Sequence, residues 1–186
     1  MADMKPPALV SRQRMFDGKV FEVDRDVLRF NDGREVAVDI VRHRASVVLM
    51  PMPSPTEVIL VRQYRHAVSR WLWELPAGST DPGEDAETAA ARECHEEVGL
   101  MPRRLTRLGA MLPTPGFCDE EMVFYLAEDL HQPDAGRSLS SGLPDPDEQL
   151  EPRAFTLAEL DGMADRGELA DMKTLAGLEL LRRRRR

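Results

Sequence analysis

Cysteine and long apolar runs are scarce in this chain and a net positive charge is lacking, and each lack removes a class of protein. Cysteine occurs only twice in 186 residues, at Cys94 and Cys118. Two thiols make neither a disulfide framework nor a zinc ribbon or finger, so reduced thiols in a cytosolic protein are the expectation. His43, His66, His95 and His131 show no zinc spacing. No stretch is apolar for long enough to span a bilayer. The segment Met1 to Pro7 lacks the apolar core of a secretory signal, and a cytoplasmic location is expected. Lysine and arginine number 25 against 33 aspartates and glutamates, a formal net charge of −8. Bulk electrostatics therefore favour neither nucleic acid nor an anionic membrane as partner. The run Arg182 to Arg186 follows a predicted helix, whose negative end suits cations, and reads as a solvated helix end. There is no Gly-x-Ser-x-Gly, and Cys94 and His95 diverge as neighbours on one helix, so catalysis through a side-chain nucleophile is not expected.

What is present suffices for one ordinary domain plus an appendage. Val20–Arg29 and Arg34–Val41 flank Asn31-Asp32-Gly33, a hairpin signal. A lone hairpin is marginal in water, so this piece must pack on the rest of the chain or on a second subunit. We divide the chain into an N-terminal strand region, 1–42, and a main domain, 43–186. In the main domain, Ala45–Met50, Glu57–Val61, Trp71–Leu75, Leu105–Leu112, Met122–Leu126 and Gln149–Phe155 read as strands. Gly78–Gly83 reads as a loop, and Gln132–Asp147, rich in Pro, Gly, Ser and Asp, as a longer one. Asp85 caps a predicted helix over Ala86–Val98 that Gly99 closes; helices over Leu157–Arg166 and from Asp171 onward follow. The pattern predicts an α/β fold: a mixed sheet sandwiched between helices, with an N-terminal β-hairpin extension.

The chemistry concentrates between Gly78 and Leu100. On the central helix, residues three and four apart share a face, so Glu93, Glu96 and Glu97 project together. Ala91, Cys94 and Val98 are expected to pack on the sheet. Converging carboxylates repel one another unless neutralised, and hard divalent cations take oxygen ligands. Glu84, at the loop-to-helix junction, can reach the same centre or pair with Arg92. A solvated acidic helix surface is the bland alternative; the glycine loop before the group, the Gly99 stop after it and the partner arginine weigh against it.

The segment resembles the Nudix box: a glycine, five residues, glutamate, seven residues, then Arg-Glu-apolar-x-Glu-Glu-x-Gly-apolar. Those positions are Gly78, Glu84, Arg92, Glu93, Cys94, Glu96, Glu97, Gly99 and Leu100. Cys94 stands where a larger aliphatic residue is usual, and a buried thiol behaves as a small hydrophobe. Arg62-Gln63-Tyr64-Arg65, Trp73 to Gly78, Pro115 to Glu120 and the N-terminal strands look like the ADP-ribose pyrophosphatase branch of that family.

The resemblance implies hydrolysis of the pyrophosphate bond of a nucleoside diphosphate derivative, with ADP-ribose, split to AMP and ribose 5-phosphate, the leading candidate. Another nucleotide sugar such as GDP-mannose, a dinucleoside polyphosphate, a non-catalytic ADP-ribose sensor and an isomerase on the same fold are the competing readings. It implies Mg2+, or Mn2+, held by Glu93, Glu97, Glu96 and the Ala77 carbonyl, with Gly78 allowing close approach of the chain. Arg92 would orient Glu84. Glu120 matches the loop acid that positions or deprotonates water, with Asp119 and Glu121 as rivals. Arg65 is the expected phosphate or ribose contact, Glu74 an acceptor for a ribose hydroxyl, and Arg42 a weaker substrate contact; each could instead be an ion pair, and for Arg42 the two readings weigh about equally. Trp71, Trp73, Phe16 and Phe21 could stack on adenine or serve as core and interface residues. A homodimer with exchanged N-terminal strands is also implied.

Overall fold

The computed structural model describes residues 5–133 and 149–186, so most of the loop expected over Gln132–Asp147 lies outside the described residues. The chain forms two compact units, one of residues up to Arg44 with Leu112–Glu121, the other of Ala45–Met111 and Met122–Arg186.

The first unit is an antiparallel meander of β1 (Ala8–Asp17), β2 (Phe21–Arg29) and β3 (Glu35–His43), in that order across the sheet. The turn at Asn31-Asp32-Gly33 forms as expected, with the Gly33 N–H donating to the Phe30 carbonyl at 2.9 Å. The expected two-stranded hairpin is corrected to three strands. Strand β1 is exposed along its whole length, and a strand that buries nothing leaves no apolar alternation to read. It is held instead by charge, through Arg12 and Arg14 paired to β2. The segment Leu112–Glu121 joins this unit through Val41, whose N–H donates to the Phe117 carbonyl at 2.7 Å and whose carbonyl accepts from the Asp119 N–H at 3.2 Å.

The second unit contains, in chain order, β4 (Ser46–Pro51), β5 (Glu57–Arg65), β6 (Arg70–Glu74), β7 (Ala77–Ser79), α1 (Ala86–Val98), β8 (Met101–Met111), β9 (Met122–His131), β10 (Leu150–Thr156), α2 (Leu157–Asp165) and α3 (Met172–Arg184). The start of the expected Gly78–Gly83 loop is a strand after all: Ala77–Ser79 pairs antiparallel with β4, Val47 opposite Gly78. Three residues are too few to show a period.

Strands β7-β4-β9-β8 make a mixed sheet in which β4 and β9 run parallel, and β10-β5-β6 make an antiparallel one. Alternation along β4 and β9 explains the layers. Val47, Leu49, Val123, Tyr125 and Ala127 pack with Ala89, Ala90 and Cys94 of α1. Val48, Met50, Phe124 and Leu126 meet Leu60 and Leu75, Leu160 of α2, and Leu178 and Leu181 of α3. Each such fully buried aliphatic or aromatic side chain contributes about 1.5–3 kcal/mol. The mixed sheet is therefore covered by helices on both faces, the expected fold class. The stripe α1 buries is Ala89, Ala90 and Cys94, not Ala91, Cys94 and Val98, since Ala91 and Val98 are only partly covered. Small alanines let the helix approach the sheet closely, and that sets which stripe turns inward.

Candidate active site

Helix α1 begins where Asp85 accepts hydrogen bonds from the Glu87 and Thr88 N–H groups, both at 3.0 Å. It ends at Gly99, whose φ of 75° is the left-handed conformation a side chain disfavours. Between these stops, Glu93 and Glu97 border the buried stripe and are themselves only 8% and 7% exposed. Carboxylates so far from water need compensating partners.

Arg92 supplies much of that compensation. Its Nε and Nη2 donate to the two oxygens of Glu84 at 3.0 and 2.9 Å, a bidentate grip. Nη1 donates to Glu93 at 2.7 Å and Glu96 at 2.9 Å, and Nη2 also reaches the Ser79 carbonyl at 3.1 Å. One guanidinium thus ties together three box glutamates and the strand β7. Hydrogen bonding to Glu84 raises the Arg92 pKa further above its already high value. The Arg92 hydrogen bond holds the Glu84 carboxyl below its ordinary value, helped by the Asp81 N–H and opposed by burial.

Gly78 lies against this cluster. A β-carbon there would overlap the Glu93 carboxylate as it now lies, so the glycine lets that carboxylate pack directly on the β7 backbone. Among the described residues no three His, Cys, Asp or Glu side chains are drawn together at metal-holding spacing; the glutamates are gathered on Arg92. The donor set still fits a hard divalent cation, since Glu93, Glu96, Glu97 and the Ala77 carbonyl offer oxygen alone.

A second charged cluster lies on the antiparallel sheet. Arg65, at the end of β5, donates through Nε and Nη2 to Glu74 on β6 at 2.9 and 2.7 Å. Lys173 of α3 also donates to Glu74 and lies 3.1 Å from Asp171. Burial works to raise the Glu74 carboxyl, but Arg65 and Lys173 outweigh it and the net shift is downward. Arg65 and Glu74, singled out separately in the sequence, are thus one ion pair. Lys173 was not foreseen. A cation in the first turn of a helix opposes the dipole, and that local misfit was the signal available.

In the first unit, Arg42 is the hub. It donates to Asp24 at 3.1 Å, Asp26 at 2.9 Å and Asp119 at 3.0 Å. Asp24 and Asp26 are nearly buried beneath Arg12, Arg14 and Arg42. Asp119 spends its second oxygen on the His43 N–H at 2.9 Å. Both of its oxygens are thereby tied into the first unit. Glu120 lies 3.7 Å from His43 Nδ1 with its side chain 15% exposed, and Glu121 is exposed.

The aromatic candidates separate by face. In the β5–β6 register Tyr64 opposes Trp71 and Arg65 opposes Arg70, so Trp71 and Trp73 alternate away from Glu74 and Arg65. Trp73 packs edge-on against Phe155, ring centres 4.8 Å apart, as a core residue. Trp71 is 47% exposed. Phe16 and Phe21 contact each other at 5.8 Å and are both exposed.

The family model described as NUDIX domain matches residues 41–177, most of the chain. The chain belongs to the Nudix family. Its relatives include the ADP-ribose pyrophosphatase of Bacillus subtilis (strain 168), 30% identical over 172 residues, which covers 92% of this chain and 90% of that protein. The ADP-ribose pyrophosphatase of Mycobacterium tuberculosis is 38% identical over 124 residues, 66% of this chain and 60% of the other. The crystal structure of an ADP compounds hydrolase superposes with a TM-score of 0.81, at 23% identity, covering 98% of this chain and 96% of that one, and supports the fold. This Nudix chain is accordingly a hydrolase of the class that needs divalent metal ions. No helix among the described residues is long and apolar enough to cross a membrane.

Proposed function

We propose that this Nudix hydrolase cleaves the pyrophosphate bond of ADP-ribose, giving AMP and ribose 5-phosphate, with Mg2+ as its ion and Mn2+ as a working substitute. The observation that carries the reading is the Arg92 cluster. One guanidinium holds Glu84, Glu93 and Glu96 beside Gly78, against which the Glu93 carboxylate packs. The relatives named ADP-ribose pyrophosphatase support the substrate.

Glu93, Glu96, Glu97 and the Ala77 carbonyl hold the ion. When bound, it neutralises phosphate charge and lowers the pKa of water. Arg92 keeps Glu84, Glu93 and Glu96 together beside β7, and Glu93 and Glu96 would turn from it to take up the ion. Arg65, gripped by Glu74 on one edge, presents the rest of its guanidinium to a diphosphate oxygen. Glu120 accepts the proton of the attacking water. The water oxygen bonds to one phosphorus as the bridging P–O bond breaks, and the bridging oxygen leaves on the other phosphate. Both oxygens of Asp119 are taken by Arg42 and the His43 N–H, and Glu120 stands at the position that the family resemblance matches to the base. The protein works in the cytoplasm as a homodimer through its N-terminal strands, whose Leu9, Phe16, Val20 and Phe21 are exposed.

The test is a product assay over ADP-ribose, GDP-mannose and a dinucleoside polyphosphate, with magnesium, manganese or chelator. AMP and ribose 5-phosphate from ADP-ribose, lost with chelator and at least about a hundredfold reduced in Glu97→Gln, is the expected result. Preferred turnover of another compound moves the substrate. Tight ADP-ribose binding with no turnover of anything makes the protein a sensor.

A further inference from the structure

We infer that Lys173, in the first turn of α3, is a positioning residue for substrate binding: it pins the Glu74 carboxylate and through it sets the direction of Arg65. The inference rests on the proposed role of Arg65 toward a diphosphate.

The geometry is that of a relay with one buried link. Glu74 is 2% exposed, and its two oxygens are shared by two cations. Oε1 accepts from Arg65 Nε at 2.9 Å, and Oε2 accepts from Arg65 Nη2 at 2.7 Å and also from Lys173 Nζ. The grip on Glu74 uses Nε and Nη2 and leaves Nη1 for another partner. The Arg65 side chain remains 42% exposed. The guanidinium is thus anchored along one edge and open along the other, as a diphosphate contact requires.

Lys173 stands where a cation is costly. It is 8% exposed, and burying an ammonium is unfavourable. It also stands at the positive end of the α3 dipole, where a cation is disfavoured. Packing alone would be served by an apolar side chain. Two compensations hold it there, Glu74 and the helix cap Asp171. Because Lys173 shares Oε2, Glu74 has a counter-charge besides Arg65, and Arg65 need not spend its whole charge on neutralising Glu74.

The same helical turn fixes the adjoining chain. Thr174 Oγ1 accepts the Leu75 N–H at 2.8 Å and donates to Asp171 at 2.6 Å. The Pro76 carbonyl accepts the Leu49 N–H at 2.8 Å. Glu74 therefore sits on a clamped backbone, and the side chain that decides where its carboxylate points is Lys173.

The test is a double-mutant cycle on the full chain, read as KM and kcat for ADP-ribose and as the Kd of inorganic pyrophosphate with magnesium. Lys173→Met should raise KM and the pyrophosphate Kd about ten- to a hundredfold while kcat changes less than about threefold. Lys173→Arg should recover most of the loss. In a Glu74→Gln background, Lys173→Met should add less than about threefold, because the link is already cut. That double variant also carries no unpaired buried charge, so it keeps the comparison open if Lys173→Met alone folds poorly. A fall in kcat at unchanged KM, or an equal effect of Lys173→Met with and without Glu74, overturns the inference. If wild type ignores ADP-ribose, the substrate reading has failed on its own. The pyrophosphate cycle then still decides the role of Lys173.

Discussion

Arg92 carries more of the site than any other side chain, and its removal has a defined signature. Arg92→Met strips Glu84, Glu93 and Glu96 of a shared partner. Breaking such partly buried pairs from one side should destabilise the fold by about 2 kcal/mol or more when metal is absent. A cation that binds only the folded state adds stability in proportion to its occupancy, about 2.7 kcal/mol at a hundred times its Kd. Magnesium should therefore raise the thermal midpoint of Arg92→Met more than that of wild type, because it replaces the missing positive charge. Equal midpoint gains in scanning calorimetry would mean that the ion does not sit among these glutamates. Glu84 gives the matching pH experiment. Its folded pKa lies below the ordinary 4.5 because of Arg92. A depressed carboxyl contributes stability that is fully present above the unfolded value and is lost as pH falls through the folded one. Urea titrations should show wild type and Glu84→Gln differing at pH 7, the gap narrowing once pH falls below 4.5 and closing as it passes the folded value. A constant gap down to acid pH would assign the difference to shape rather than to charge.

Elements were legible where their signals are local. Helix α1 spans the residues its caps announce, because Asp85 and Gly99 act within one turn. The box glutamates are legible for the same reason, since spacing on one helix fixes their common side. Strand β1 was not, because its partners are the buried aspartates of β2, distant in sequence and unusual in a core. Strand β7 was hidden by its length, and the inward stripe of α1 by a tertiary choice between two alanine rows. The pairing of Arg65 with Glu74 was out of reach of either motif alone, because it comes from the β5–β6 register. Helix α3 shows what such long-range joins contribute. Thr174 is fully buried and accepts the N–H of buried Leu75 across 99 residues of sequence. Thr174→Val keeps the shape and leaves that N–H without its partner, at a cost of about 1–3 kcal/mol in denaturant unfolding. A loss under about 0.5 kcal/mol would mean that the N–H finds another acceptor.

At the scale of the whole molecule, the N-terminal sheet poses a solubility question that the proposed dimer would answer. Its Arg and Asp residues neutralise one another in a ladder through Arg12, Arg14 and Arg42, so the unit is rich in charge yet offers little net charge there to hold copies apart. It also exposes Leu9, Val10, Met15, Phe16, Val20 and Phe21, and exposed apolar side chains gathered on one element favour association. An isologous contact through this surface would bury it symmetrically. Light scattering on the full chain should give twice the 21.0 kDa monomer mass. Deletion of the residues before Val41 should give a monomer. Phe16→Asp with Phe21→Asp should do the same while leaving the pairs of Asp24 and Asp26 in place, which separates loss of the interface from loss of the sheet. A full-length monomer at micromolar concentration would overturn the dimer. A dimer that survives both changes would move the interface to the second unit, where Tyr64, Val68 and Trp71 form the next exposed apolar group.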